Sequence, residues 1–298
     1  MWHPRFMLFV GSGFSIGQGG PSWTELRDLA VSEIVGHLSK AGREEMWGKL
    51  TDVVVKTSGR EGYASPEVRK KPEFAMWVIG EAFGGPQQLA SFLGRYLLPR
   101  ASLLHTITVQ KVLRDAGIIL TTEFDGLFVD AIKQLRGEKA WRLTEVRSEA
   151  DRTVQPSLAL ATGERPRPVR IHGCCESEIL AELHGNVHHP DTLVCSLDQV
   201  DSWRNERAAD EVVRLLAECE TAIFWGCGGK DHDIAELLRH VDGKRSPFRR
   251  TLVVDKAEAK ERLLGDLRAI PLLGNVVPIV CDGLSGGETW QVIDGFMV

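Results

Sequence analysis

Short apolar runs alternate with helical patterns along most of the chain. A short run of apolar residues predicts a buried strand, and apolar residues spaced three and four positions apart predict a helix. Strands are predicted at 6–10, 117–122, 169–171, 192–195, 221–225, 251–254 and 276–281. Helices are predicted at about 23–38, 124–135, 206–219 and 231–241, with a last short helix in the tail 283–298. This alternation predicts an α/β fold with a Rossmann-like, doubly wound and mainly parallel sheet.

Residues 41–112 interrupt the alternation, because no strand pattern occurs there. Apolar positions around Trp47, Trp77 and Phe92 predict three helices, so we expect a helical insertion within a single domain spanning 1–298. The polar stretch 57–71 inside it is expected to be a loop. Residues 137–168 are charged and contain prolines, and they are expected to hold short antiparallel strands.

The first predicted strand leads directly into a glycine-rich segment, 11–23. Glycine lets a backbone approach a phosphate closely, and the N-terminus of a following helix attracts anions. The segment is therefore a candidate phosphate site. It is not the dinucleotide fingerprint G-x-G-x-x-G, because Ile16 stands where the third glycine belongs, and no Gly-Lys-Ser/Thr follows to make a P-loop.

Three further polar or glycine-rich segments follow predicted strands. They are Thr-Thr-Glu-Phe-Asp at 121–125, Arg-Ile-His-Gly at 170–173 and Gly-Cys-Gly-Gly at 226–229. Ligands bind at the carboxyl ends of strands in open α/β sheets, so we expect all of these segments to share one site. A histidine at the end of a strand suits proton abstraction near neutral pH, which favours His172 as a base. His184 lacks that context and is expected to lie in a polar loop.

Together the four segments resemble the sirtuin-like NAD-binding domains. The first fits the pattern G-x-G-x-S-x-x-x-G-x-P-x-aromatic, the second is similar to Thr-Thr-Asn-aromatic-Asp, and the third is similar to Lys/Arg-apolar-His-Gly. The fourth resembles the glycine turn near the adenosine half of NAD. The resemblance implies NAD contacts from Gly11, Ser12, Gly13, Ser15, Trp23, Thr121, Thr122, Gly226 and Cys227. It implies catalytic roles for His172, Glu123 and Asp125.

Glu123 departs from the family pattern, which has its catalytic asparagine at this position. An amide both donates and accepts hydrogen bonds, whereas an ionised carboxylate only accepts them. Three alternatives follow. The site binds NAD without turning it over, or Glu123 stabilises the cationic sugar that forms as nicotinamide leaves, or Glu123 only places negative charge at the start of the next helix.

The resemblance implies an NAD+ hydrolase that breaks the nicotinamide–ribose bond, of the kind found in bacterial antiphage effectors that deplete NAD. Such effectors act as homo-oligomers or beside a partner such as a HerA-type ATPase or an Argonaute-type protein. The alternative is a catalytically silent NAD-binding or scaffold subunit of a defence complex. A protein deacylase ranks last, because the sequence lacks the four-cysteine zinc module of protein-deacetylating sirtuins.

Composition narrows the picture further. The chain is 43% hydrophobic and 26% charged with a net charge of -5, which is typical of a soluble globular protein and gives no reason to expect nucleic-acid binding. Its six cysteines include no C-x-x-C pair, so we expect reduced thiols and no metal site. The first apolar run is too short for a signal peptide and no run could span a membrane, so the cytoplasm is the expected location.

Overall fold

The computed structural model describes residues 6–17, 20–97, 118–125, 142–144, 159–162, 165–168, 170–175, 178–188, 190, 193–199, 221–227, 248–255, 273–280 and 286–297. The strands are β1 Met7–Val10, β2 Ile118–Thr121, β3 Arg142–Thr144, β4 Ala159–Thr162, β5 Arg165–Pro168, β6 Arg170–Cys175, β7 Glu178–Glu182, β8 Thr221–Trp225, β9 Phe248–Asp255 and β10 Leu273–Val280. The helices are α1 Gly13–Gly17, α2 Trp23–Val35, α3 Lys40–Ser58, α4 Pro66–Arg69, α5 Pro72–Phe83, α6 Pro86–Leu97 and α7 Gly286–Met297, with a 3₁₀ turn at Glu61–Ala64.

Eight strands form one sheet in the order β10-β9-β8-β1-β2-β7-β6-β3. The six strands from β10 to β7 run parallel, whereas β6 is antiparallel to β7 and β3 is antiparallel to β6. Strands β4 and β5 pair separately as an antiparallel hairpin. The predicted α/β, Rossmann-like fold with a mainly parallel sheet is confirmed, and so are the short antiparallel strands within 137–168.

Strand β1 lies at the centre of the sheet, between β2 and β8. All four of its residues are buried, and the ring of Phe9 stacks on that of Phe224 in β8 with centroids 5.6 Å apart. A continuous apolar run without alternation is typical of a parallel strand covered on both faces. The carboxyl end of β1 therefore lies in the middle of the edge that the carboxyl ends of the parallel strands form.

The order in which strands are added to the sheet reverses at β1. It passes from β1 to β2 and β7 on one side of β1, and later to β8, β9 and β10 on the other side. The connections that leave β1 and β8 therefore run in opposite directions. Such a switch point leaves a crevice between the two loops, where ligands bind in open α/β sheets.

Helices α2 to α6 pack on one another through two apolar clusters, and α3, α5 and α6 are the three helices predicted around Trp47, Trp77 and Phe92. Helix α2 begins with a capping box, in which Ser22 Oγ accepts from Glu25 N at 3.3 Å and Glu25 Oε2 accepts from Ser22 N at 2.6 Å. This arrangement satisfies two N–H groups that the helix cannot pair internally.

Two predicted elements are wrong. The stretch 57–71 is not a loop, because it holds the end of α3, the 3₁₀ turn and α4, where Ser65 caps a helix that starts with Pro66. Residues 193–195 do not form a strand, because the N–H groups of Cys195 and Ser196 both donate to the side chain of Gln199 rather than to a neighbouring strand. The predicted helices at 126–135, 206–219 and 231–241 and the end of the insertion, 98–112, lie outside the described residues.

Candidate functional site

Four chain segments meet at the carboxyl ends of β8, β1, β2 and β7. Three of them were predicted to form the site, and the fourth, residues 183–188, was not. Main-chain hydrogen bonds continue past the strand ends and join the segments: Gly11 N donates to Trp225 O (3.0 Å), Thr122 N to Val10 O (3.1 Å) and Leu183 N to Thr121 O (2.8 Å). The site is therefore an extension of the central sheet.

The glycine loop after β1 packs directly on the turn after β8. Gly13 N donates to Gly226 O at 2.7 Å, and a Cβ on Gly11 would lie 2.6 Å from Cys227 Cα. Gly226 has a φ of +66°, and a Cβ there would lie 2.3 Å from Phe14 N. These glycines are required by contact between two backbones, and the N–H groups of Gly11 and Gly13 serve protein carbonyls rather than a phosphate.

A single helical turn, α1, separates the loop from α2. The predicted start of the long helix near residue 23 is confirmed, and the positive end of α2 lies at the end of the glycine-rich segment rather than at Gly11 and Gly13, since that field is confined to the first turn of a helix. Ser12 stays in the loop and is half-buried.

A buried hydrogen bond joins the first predicted segment to the second. Ser15 Oγ donates to Asp125 Oδ2 at 2.8 Å, although the two residues are 110 positions apart in sequence. Only 2% of Asp125 is exposed. The carboxyl oxygen accepts the hydroxyl hydrogen, so this bond fixes the orientation of the Asp125 side chain at the end of β2.

Three buried carboxyl side chains lie on the segments at the ends of β2 and β7, namely Glu123, Asp125 and Glu182. The Glu123 turn is fixed locally, because Glu123 N donates to Thr121 Oγ1 at 2.9 Å. Carboxylates repel phosphates, accept hydrogen bonds from sugar hydroxyls and stabilise a developing positive charge. This part of the edge is suited to a sugar rather than to a phosphate.

Two other predicted NAD contacts make protein contacts in the structure. The ring of Trp23 packs on that of Phe124 with centroids 5.4 Å apart. The thiol of Cys227 is buried, with Sγ 3.7 Å from the carbonyl oxygens of Phe9 and Trp225. These side chains connect the predicted segments to the core.

The predicted position of His172 at the end of a parallel strand is wrong. Strand β6 continues three residues beyond His172 and runs antiparallel to β7. His172 pairs with Leu180, two residues before the end of β7, whereas Arg170 pairs with Glu182 at that end. The backbone of His172 therefore lies within the sheet and not at the edge where the other segments meet.

A different histidine occupies that edge. His184 is the second residue after β7, is buried, and precedes Gly185, which has a φ of +74°. Its turn is bonded to the second segment on both sides, by the Leu183 bond described above and by Val187 N, which donates to Phe124 O at 2.8 Å. The signal was present in the sequence, because 183–185 repeats the apolar-His-Gly triplet of 171–173.

Asn186 fixes the shape of this histidine turn. Its Nδ2 donates to Glu182 Oε1 at 2.7 Å, and its Oδ1 accepts from His188 N at 2.9 Å. Asn186 and Glu182 are both buried, so their hydrogen bond forms away from water, where leaving either group without it would be costly.

A Rossmann-like sheet with polar segments gathered at its switch point is the arrangement in which open α/β sheets bind ligands. Residues 117–268, just over half of the chain, match the model of the SIR2-like domain, and the chain belongs to this SIR2-like family. Membership implies an NAD-related function. No curated protein matches the chain.

Two absences apply to the described ranges alone. There, no three or more His, Cys, Asp and Glu side chains are grouped so that they could hold a metal ion. Within the same residues, no helix is long and apolar enough to cross a membrane.

Proposed function

We propose that this protein is an NAD+ hydrolase that cleaves the bond between nicotinamide and ribose. The observation that carries the proposal is the Ser15–Asp125 hydrogen bond, which fixes a buried carboxylate beside the loop that follows the central strand. That place is where open α/β sheets bind nucleotides. Membership of the SIR2-like family supports NAD as the nucleotide.

The residues at the edge fit the sugar half of NAD. Glu123 and Asp125 accept hydrogen bonds from ribose hydroxyls, and their charge stabilises the positive sugar that develops as neutral nicotinamide departs. Since Gly11 and Gly13 use their N–H groups within the protein, we assign the pyrophosphate to Ser12 and the adjoining loop. Thr122 and Gly226 complete the proposed contacts.

We propose His184 as the general base in place of His172. Neutral imidazole takes a proton from a water molecule as the water oxygen bonds to the sugar carbon and the carbon–nitrogen bond to nicotinamide breaks. The products are nicotinamide and ADP-ribose. His184 is favoured because its turn is bonded on both sides to the segment that carries Glu123 and Asp125.

The test is nicotinamide release from NAD by the purified protein, followed by chromatography. We expect Asp125→Asn to lower kcat roughly 10²–10³-fold, because a fixed charge at the developing cation is lost. Asp28→Asn, on the partly exposed face of α2, is the matched control and should leave turnover unchanged. Absence of nicotinamide release by the wild-type protein, or full activity of Asp125→Asn, would refute the proposal.

A silent NAD-binding subunit is the second candidate, and Glu123 is the observation that favours it. A buried glutamate stands where the related domains have an asparagine. Calorimetry that shows NAD binding without turnover, together with activity gained by Glu123→Asn, would support this candidate. Loss of existing activity in Glu123→Gln would support the hydrolase instead.

We further propose that hydrolysis serves antiphage defence in the cytoplasm, by a homo-oligomer or beside a HerA-type ATPase or Argonaute-type partner. The absence of a C-x-x-C pair from the sequence supports this role over deacylation. Cells that express the protein should lose NAD on infection and form fewer plaques, whereas cells with His184→Ala should do neither. Equal NAD levels in the two strains would count against the defence role.

A further inference from the structure

Residues 193–199 lie between the His184 turn and the helices, and we name them the strap. Their apolar side chains pack in two cores. Leu193 and Cys195 pack in the cluster that contains Phe124 together with residues of α2, α5 and α6, and Leu197 packs in the cluster that contains Trp77 of α5. The strap therefore packs on the helical region along its length and reaches the site segment through the cluster of Phe124.

The strap keeps its shape without helical or strand pairing over 193–196. Gln199 Oε1 accepts hydrogen bonds from both Cys195 N and Ser196 N, each at 3.0 Å, and Gln199 is itself buried. A buried side chain that pairs two main-chain donors fixes a turn that would otherwise leave them unsatisfied. The Gln199 bonds thus fix the turn at 195–196, between the two ends of the strap.

Each end of the strap is bonded to a different region. Val194 N donates to His184 O at 2.9 Å, which ties the strap to the histidine turn. At the other end, Tyr63 OH donates to Asp198 Oδ1 at 2.5 Å, and Arg60 forms an ion pair with the same oxygen at 3.4 Å.

The Tyr63 ring is held from the side of the helices. It packs edge-on against Trp77 with ring centroids 5.0 Å apart. A side chain fixed by packing is a better anchor than an exposed ion pair, because little further rotamer freedom is lost when its hydroxyl bonds. The 3₁₀ turn that carries Tyr63 therefore supports the strap.

We infer that Tyr63 and Asp198 are positioning residues that hold the His184 turn in place through the strap. The role in turnover rests on the proposed function, whereas the mechanical link does not. The helical region is then a support for the site, and its attachment to the strap raises the rate of catalysis.

The experiment measures two quantities in wild type, Tyr63→Phe, Asp198→Ala and the double variant. Hydrogen exchange across 183–199 is expected to rise roughly tenfold in each variant, as for a lost hydrogen bond to a charged acceptor, while exchange across 118–125 stays constant. The kcat for NAD should fall about tenfold with KM within about twofold, because positioning affects the reacting geometry. The double variant should lose little more than the larger single loss.

Asp52→Ala is the matched control, because it removes an ion pair between Asp52 and Arg69 in the same helices without touching the strap. It should change neither quantity. Unchanged exchange across 183–199 in Tyr63→Phe and Asp198→Ala overturns the inference, and so does unchanged kcat in an active enzyme. If the wild-type protein does not turn over NAD, the proposed function fails and exchange alone decides the inference.

Discussion

Two segments of this chain carry an apolar-His-Gly triplet, but the two triplets take different positions in the fold. His172 lies inside β6, paired with a strand on each side, whereas His184 lies in the turn that follows β7. Both triplets accompany strands of the same sheet, and they are only 12 residues apart. The difference arises from strand direction, because only a strand parallel to β1 ends at the edge where β1 ends.

This comparison teaches that the position of a motif in the fold depends on where its strand ends as much as on its residues. Within β6, position is fixed by ladder hydrogen bonds to β3 and β7. Around His184, position is fixed by Asn186, Gly185 and bonds to the second segment. A turn held in this way places its residues at the edge of the sheet where β1 ends, which a strand paired through that edge does less readily.

The largest effect is expected from replacing each of the two histidines with alanine in turn. His184→Ala should lower kcat for NAD by roughly 10²–10⁴-fold, the usual contribution of a general base. His172→Ala should keep most of the activity, because its backbone is two residues inside the edge. Steady-state assays measure the activity of both variants, and circular dichroism verifies their folding. If His172→Ala were the inactive variant, the proposed difference between the two histidines would be contradicted.

A smaller effect is expected from removing the side chain that shapes the turn. Asn186→Ala should lower the free energy of unfolding by about 1–3 kcal/mol, because the buried Glu182 carboxylate loses a donor. Urea denaturation measures it. The exposed Gln87→Ala on α6 is the control and should stay within about 0.5 kcal/mol of wild type. Equal losses in the two variants would show that Asn186 does not hold the turn.

The two glycines of the triplets should also differ. Gly185 has a φ of +74°, so Gly185→Ala should cost about 1–2 kcal/mol of stability. Gly173 lies in the extended backbone of β6, so Gly173→Ala carries no left-handed penalty and should cost less. Thermal unfolding of the pair measures the difference. A larger loss of stability for Gly173→Ala would contradict the assignment of the left-handed backbone conformation to the His184 turn.

The smallest effect is expected far from both segments, on the exposed face of α3. The hydrogen bond and charge of Lys49 hold the pKa of Glu45 below its ordinary value of 4.5. A lowered folded pKa means that the pair stabilises the protein above the unfolded pKa, and that this gain is lost as pH falls through the folded pKa. Glu45→Gln should lower Tm very slightly at neutral pH and not at all in strong acid. A clear loss of Tm in strong acid would contradict the lowered pKa of Glu45.

Much of the fold could be predicted from the sequence, because its signals are local. The buried run 7–10, the capping residue Ser22 and the apolar spacing of α3, α5 and α6 each depend on neighbours within a few residues. The glycines of the first loop were also recognised. Their close packing against the backbone at Gly226 was not predicted, because Gly226 is more than 200 residues away in the sequence.

The candidate site shows the same division. The segments that follow β1, β2 and β8 could be selected because each combines an apolar run with polar or glycine residues. The bond from Ser15 to Asp125 could not be foreseen, since nothing in either segment specifies the other. The same reason applies to the two apolar-His-Gly triplets: nothing in either one specifies the direction of its strand, so the predicted position of His172 at the end of a parallel strand was wrong.

By itself, the sequence determined which residue types carry the chemistry and which short stretches become strands, turns and helices. Propensity, capping and hydrophobic periodicity act over a few residues, and they survive in any arrangement of the elements. Only the tertiary structure decided the direction of β6, the contact of two glycine turns and the bonds that join the His184 turn to the segment 121–125. Direction and neighbourhood depend on how the whole chain buries its apolar faces, which no short window contains.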